Sequence, residues 1–230
     1  MKQIVASAII LSRTDYGEAD RILTMLTLEH GKLHLLAKGV RRIRSKLAGG
    51  IELFSVSTIT YIQGRSELGT LVSTRLDRHY SHIVEALDRT MLGYELIKQL
   101  NRITEDQTEA VYFELLRHIF EALDDADVPI ALIRFWFQAQ LLQLGGNAPS
   151  LHTDAENVEL QPGFAYDFSF DTMCFSANGQ GRFAVNHIKF LRLAFAGNSI
   201  QVLAHVQGSG ELVRVTAPLV TAMFQAHLRV

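Results

Sequence analysis

Five of the nine residues from Lys38 to Lys46 are basic: Lys38, Arg41, Arg42, Arg44 and Lys46. With Lys32 they make six basic residues and no acid between Glu29 and Glu52. Ammonium and guanidinium groups at this density suit phosphate contacts, which need charge and reach more than fixed geometry. Gly39, Gly49 and Gly50 bracket the segment and no helical apolar repeat runs through it, so a mobile loop between strands is expected. Six neutralised phosphates would give log affinity a slope against log salt of about −5 on duplex DNA. Arg13, Arg21, Arg65, Arg75 and Arg78 are expected to extend the positive field. Tyr16, Phe54, Tyr61 and Tyr80 are candidates for stacking on bases, against the commoner fate of such aromatics in a core or at its rim.

Other chemistry is harder to find. The sequence has no phosphate-binding Gly-x-x-x-x-Gly-Lys-Ser/Thr loop, no His-Glu-x-x-His and no Gly-x-Ser-x-Gly elbow. Gly179 to Ala184 imitates a dinucleotide fingerprint, but no βαβ pattern or later acid supports it. His152, Asp154, Cys174 and His187 are acceptable metal-ligand types without the paired cysteine spacing of a zinc site, so no metal site is expected. Asp124, Asp125 and Asp127 precede Pro129, where they are expected to meet the dipole and free amides of a starting helix. No Ser, His and Asp spacing singles out a nucleophile, and no enzyme is expected.

The elements that position the basic segment follow from patterning. At 48% hydrophobic and 20% charged, the 230 residues can build real cores. The net charge of −2 hides an asymmetry: residues 1–80 hold 12 Lys or Arg against 7 Asp or Glu, and the rest 10 against 17. An anionic ligand would therefore see the field of the N-terminal unit. The single cysteine, Cys174, fits a reducing compartment, the cytoplasm. Arg13 and Asp15 cut the apolar run from Ile4 to Leu11, so it reads as a first strand and not as a signal peptide. No stretch approaches the roughly 18 apolar residues of a membrane span.

Residues 4–13, 21–29, 32–38, 51–63 and 67–76 read as five short strands, with no helix-length segment between them, which predicts an oligonucleotide/oligosaccharide-binding (OB) barrel over residues 1–79. From residue 80 the apolar period becomes helical, at Ile83, Leu87, Met91, Tyr94 and Ile97, then Val111, Leu115 and Ile119, then Ile130, Ile133, Phe137, Leu141 and Leu144. The third of these helices is apolar nearly all round and is expected at the centre of a bundle. Residues 150–184 read as an irregular insert, with short strands near Phe164–Phe168 and Met173–Phe175. Helical spacing returns at Ile188, Leu191 and Phe195, and at Leu212, Val215, Leu219 and Met223. The fold class is thus α+β, a barrel domain over 1–79 and a helical domain over 80–230. An apolar groove along Phe135, Phe137 and Leu141, with Arg134 to receive a carboxylate, is the expected protein-partner surface.

Asp15-Tyr-Gly-Glu-Ala-Asp-Arg21, His30-Gly-Lys32, Ala37-Lys-Gly-Val-Arg-Arg42, Leu47-Ala-Gly49 and Phe54, in this order, resemble the bacterial recombination mediator family RecO over about the first 75 residues. The resemblance implies a non-catalytic protein that binds single- and double-stranded DNA and anneals complementary strands. It further implies partnership with the single-stranded DNA-binding protein (SSB), through its C-terminal tail, and with RecR, so that RecA is loaded on SSB-coated DNA in recombinational repair. DNA contacts would fall on Lys32, Lys38, Arg41, Arg42, Arg44 and Lys46. Many relatives carry a four-cysteine zinc module where this chain keeps only Cys174, so neither zinc nor any other cofactor is expected. The alternative is a scaffold whose basic loop grips acidic protein tails.

Overall fold

The computed structural model describes residues 2–64 and 67–227, so Arg65 lies outside the described residues. Two compact units, Met1–Asp125 and Ala126–Val230, divide the chain. This division differs from the change of hydrophobic period near residue 80. Among the described residues no helix is long and apolar enough to cross a membrane.

In the first unit, β1 (Gln3–Tyr16), β2 (Asp20–Thr27), β3 (Gly31–Ala37), β4 (Ser55–Ile62) and β5 (Leu68–His79) close into a barrel in the order β1-β2-β3-β5-β4. Neighbours are antiparallel except β3 and β5, which meet in parallel over His34–Leu36 and Leu68–Thr70. This is the five-stranded OB-fold that the strand pattern predicts. Strand alternation explains the packing: in β4, Ser55, Ser57, Ile59 and Tyr61 are buried while Val56, Thr58, Thr60 and Ile62 are partly exposed.

Two helices complete this unit, α1 (Leu87–Ile103) and α2 (Ala110–Asp124). Phe54, buried and held at a positive φ of 56°, sets its ring edge-on to Tyr94 at 5.2 Å and to Phe120 at 5.6 Å. A Cβ on Gly93 would stand 2.5 Å from the Phe54 ring, so the glycine lets α1 reach that ring. The buried face of α1 is Leu92, Gly93, Leu96, Ile97 and Leu100. This corrects the face read from the sequence: Leu87, Met91 and Tyr94 are 76%, 63% and 50% exposed. Two apolar stripes share the helix, and periodicity alone does not say which one is covered. For Asp124 the expected role at the start of the next helix is corrected too. Asp124 ends α2 and its carboxylate accepts the His82 N–H at 2.9 Å, while the residue before the next helix is Pro129, with no side-chain cap.

In the second unit, α3 (Ile130–Leu144) packs on α4 (Val185–Phe195), α5 (Ile200–Ala204) and α6 (Ser209–His227). Its central place follows from the apolar character of nearly every side. Phe135 stacks on Phe190 at 5.5 Å, and the Trp136 indole donates to the Asn198 carbonyl at 2.8 Å. The expected partner groove is therefore absent as drawn: Phe135, Phe137 and Leu141 are buried in this core. An α3 stripe that apolar could be covered by a partner or by its own unit, and the other three helices cover it.

Candidate nucleic-acid interface

The segment from Lys38 to Gly50 joins β3 to β4, as the sequence suggests, but it is not free-hanging. Val40 and Leu47 pack into the barrel core, and burying such side chains stabilises by about 1.5 to 3 kcal/mol each. The Gly39 N–H donates to the Asp20 carboxylate at 2.7 Å, and the Arg41 N–H to the Ala19 carbonyl at 2.9 Å. Arg42 N–H to Gly39 and Ser45 N–H to Arg42 close two successive turns, and a short 3₁₀ turn (Ala48–Gly50) lies against Thr74 of β5. The expectation of a mobile loop is thus corrected. Buried side chains and backbone bonds at both ends hold a segment whose composition reads as polar and glycine-bracketed.

Between these anchors Lys38, Arg41, Arg42, Arg44 and Lys46 are exposed. Arg41 leans 3.5 Å from Asp15 and donates to the Gly17 carbonyl, so it ties the loop to the β1–β2 hairpin. Such an exposed pair is worth about 0 to 1 kcal/mol and yields readily to a phosphate. Arg21 binds Asp15 at 2.8 Å; this bond holds the Asp15 carboxyl below the usual carboxylate range, with Arg41 adding to the effect. Lys38, Arg42, Arg44 and Lys46 form no ion pair among the described residues.

Lys32 stands elsewhere. Its ammonium donates to the Asn101 carbonyl at 2.7 Å and the Thr104 carbonyl at 2.9 Å, at the C-terminal end of α1. Burial lowers its pKa from the ordinary lysine value, Asp106 opposing. The expected phosphate contact is corrected: alternation along β3 places this side chain under a helix end, where cations complement the dipole. The wider field also shrinks. Arg13 pairs with Glu52, Arg75 with Asp77, and Arg78 with Glu121 while lying over the Tyr80 ring. Of the four stacking candidates only Tyr16 is exposed, at 54%; Phe54, Tyr61 and Tyr80 are core. Ile43, missed in the sequence, stands fully exposed between Arg42 and Arg44.

A family model described as Recombination protein O N terminal matches residues 1–80, and one described as Recombination protein O C terminal matches residues 86–229. The chain belongs to the recombination protein O family. Similar curated proteins are the DNA repair protein RecO of Desulfatibacillum aliphaticivorans, 31% identical over 154 residues (66% of this chain, 60% of the relative). That of Moorella thermoacetica is 33% identical over 151 residues (65% and 55%). That of Bacillus pumilus is 34% identical over 153 residues (64% and 57%). The matched chain spans 55 to 60% of the length of these relatives. The names of these relatives refer to DNA repair and the description of the family to recombination, and the basic loop lies inside the matched N-terminal part.

Within residues 150–184, β6 (Ala165–Ser169), β7 (Cys174–Ala177) and β8 (Phe183–Ala184) form a small sheet. The residues present do not fit a metal. Asp154 accepts the Glu156 and Val158 N–H groups, the Cys174 thiol donates to the Thr172 carbonyl, and no group of three ligands is assembled among the described residues. Packing holds the insert: Phe168, Phe170, Phe175 and Phe183 are in ring contact edge-on at 5.1 to 5.5 Å. Gly181 passes so close to the Tyr166 backbone that a Cβ would collide at 2.5 Å. Gly179 to Ala184, the dinucleotide look-alike, is a turn leading into β8.

His187 joins this cluster, ring against Phe183, and its Nδ1 accepts the Ala184 N–H at 2.9 Å at the start of α4. Acceptance requires a neutral imidazole, and burial pushes its pKa below the ordinary 6.5, Glu211 opposing. The unfolded state therefore takes the proton first. The contribution is complete above pH 6.5 and is lost as pH falls through the lowered folded value. Urea unfolding followed by Trp136, the single tryptophan, should show the second unit losing stability as pH falls below 6.5. His187→Asn, which keeps an acceptor without titrating, should flatten that loss.

Proposed function

We propose that the chain is a non-catalytic, cytoplasmic recombination mediator that binds single- and double-stranded DNA through the β3–β4 loop and anneals complementary strands. The observation that carries this reading is a pinned loop on an OB barrel with four cations, Lys38, Arg42, Arg44 and Lys46, that no carboxylate neutralises among the described residues. Their contact is with phosphates, so binding ignores sequence. Tyr16, on the adjoining hairpin, stacks on a base.

SSB, RecR and, through them, RecA are the partners, as in the process the family serves. The exposed face of α1 suits the SSB tail better than α3 does. Leu87, Met91 and Tyr94 run into the basic side chains Lys98 and Arg102 on the same side of the helix, beside a cleft of about 480 Å³ floored by Leu11, Leu53 and Ile97. An apolar stripe ending in two cations complements a chain end that carries apolar side chains and carboxylates.

One assay tests both parts: annealing of complementary strands, bare and SSB-coated. The chain should accelerate both reactions. Met91→Asp should leave bare-strand annealing unchanged and slow the SSB-coated reaction about tenfold, the loss expected from removing one apolar anchor. No acceleration on either substrate would overturn the annealing reading, and equal rates for the variant would remove α1 as the docking face.

A further inference from the structure

Ile43 is 105% exposed, more than any other large apolar side chain among the described residues. Isolated surface apolar groups are ordinary, so exposure by itself assigns nothing. Its setting does. The Ser45 N–H to Arg42 carbonyl bond makes Ile43 and Arg44 the two central residues of a turn. Turn centres favour Gly, Pro, Asn, Asp or Ser, and a β-branched apolar residue there gains nothing from local bonding or burial. The backbone that presents it is fixed, by Val40 in the core, by the Gly39 amide on Asp20 and by the Arg41 amide on Ala19. On either side stand Arg42 and Arg44, exposed guanidinium groups without an ion pair among the described residues.

Resting on the reading of this loop as the DNA contact, we infer that Ile43 is a wedge that enters between adjacent bases while Arg42 and Arg44 hold the flanking phosphates. Apolar side chains inserted at a base step part the stack locally. The consequence for annealing is direct: a parted step turns base edges outward, where a second strand can sample them. Two functions are then divided among three consecutive residues, with charge providing attraction and the apolar group between providing distortion. Because the wedge carries no charge, it adds nothing to counterion release, and its contribution separates from that of the arginines by salt dependence.

The test uses the full chain and oligonucleotides carrying 2-aminopurine, whose fluorescence rises when it unstacks. The native chain should raise the signal on binding. Ile43→Ala should lose most of that rise, bind roughly five- to tenfold more weakly and keep the salt slope. Ile43→Leu should restore the fluorescence. The inference falls if Ile43→Ala keeps the full rise while changing Arg41, Arg42 and Arg44 to Ala abolishes binding, since the loop then binds without a wedge. If the arginine variant also binds as the native chain does, the loop reading falls and the wedge with it.

Discussion

Changing Arg41, Arg42 and Arg44 together to Ala should weaken DNA binding on the order of 10²-fold at 0.1 M salt and lower the salt slope by almost three. The sequence expectation counted six phosphate contacts. Removing Lys32, whose ammonium is bound to helix carbonyls, leaves five. At about 0.9 counterion per contact, the native slope should be near −4.5 on duplex and about −3.5 on single strands. The variant keeps Lys38 and Lys46 and should fall to about −1.8 on duplex. Fold stability should barely change, because the pair Arg41 makes with Asp15 is exposed and worth about 1 kcal/mol at most. Affinity titrated from 0.05 to 0.3 M salt decides the matter. A variant that kept both affinity and slope would show that the loop is not the site.

Lys32→Met should do the reverse, costing about 2 kcal/mol of stability and leaving the salt slope where it was. Two hydrogen bonds from a charged donor would be lost, and the Asn101 and Thr104 carbonyls at the end of α1 would be left without that donor. The desolvation that lowers the Lys32 pKa offsets part of what those bonds give, which is why the net figure is below their sum. Thermal unfolding by circular dichroism should show Tm lower by roughly 5 to 10 °C. A slope reduced by one with no change in Tm would return Lys32 to the phosphate contacts. The pair of variants therefore separates the two roles that one count of basic residues had merged.

What could be read in advance divides along physical lines. Alternation of period two and apolar spacing of period four are properties of single segments, so the five strands, α3 and the last helices were legible. The basic cluster was legible for the same reason, since charge density along the chain needs no partner to be seen. The covered face of α1 was not, because Leu87, Met91 and Tyr94 are as apolar as Leu92 and Leu96. Phe54 and Leu123, reaching Gly93 of α1 from distant points of the chain, show which stripe is covered.

At the interface itself, the sequence alone established a positive segment between the third and fourth strands of a barrel and the absence of any catalytic spacing. Tertiary structure decided which of those charges face water. Arg13 and Arg78 pair with acids remote in the chain and Arg21 with one across a strand pair, whereas Arg75 pairs only two residues along its own strand; Lys32 lies under a helix that begins 55 residues later. Val40 and Leu47 turned a loop of mobile composition into a pinned one, and so gave Ile43 a fixed place to stand. Ion pairs, burial and anchoring are relations between residues far apart in sequence. A linear pattern records the charges and the apolar groups, and the fold chooses which of them remain available.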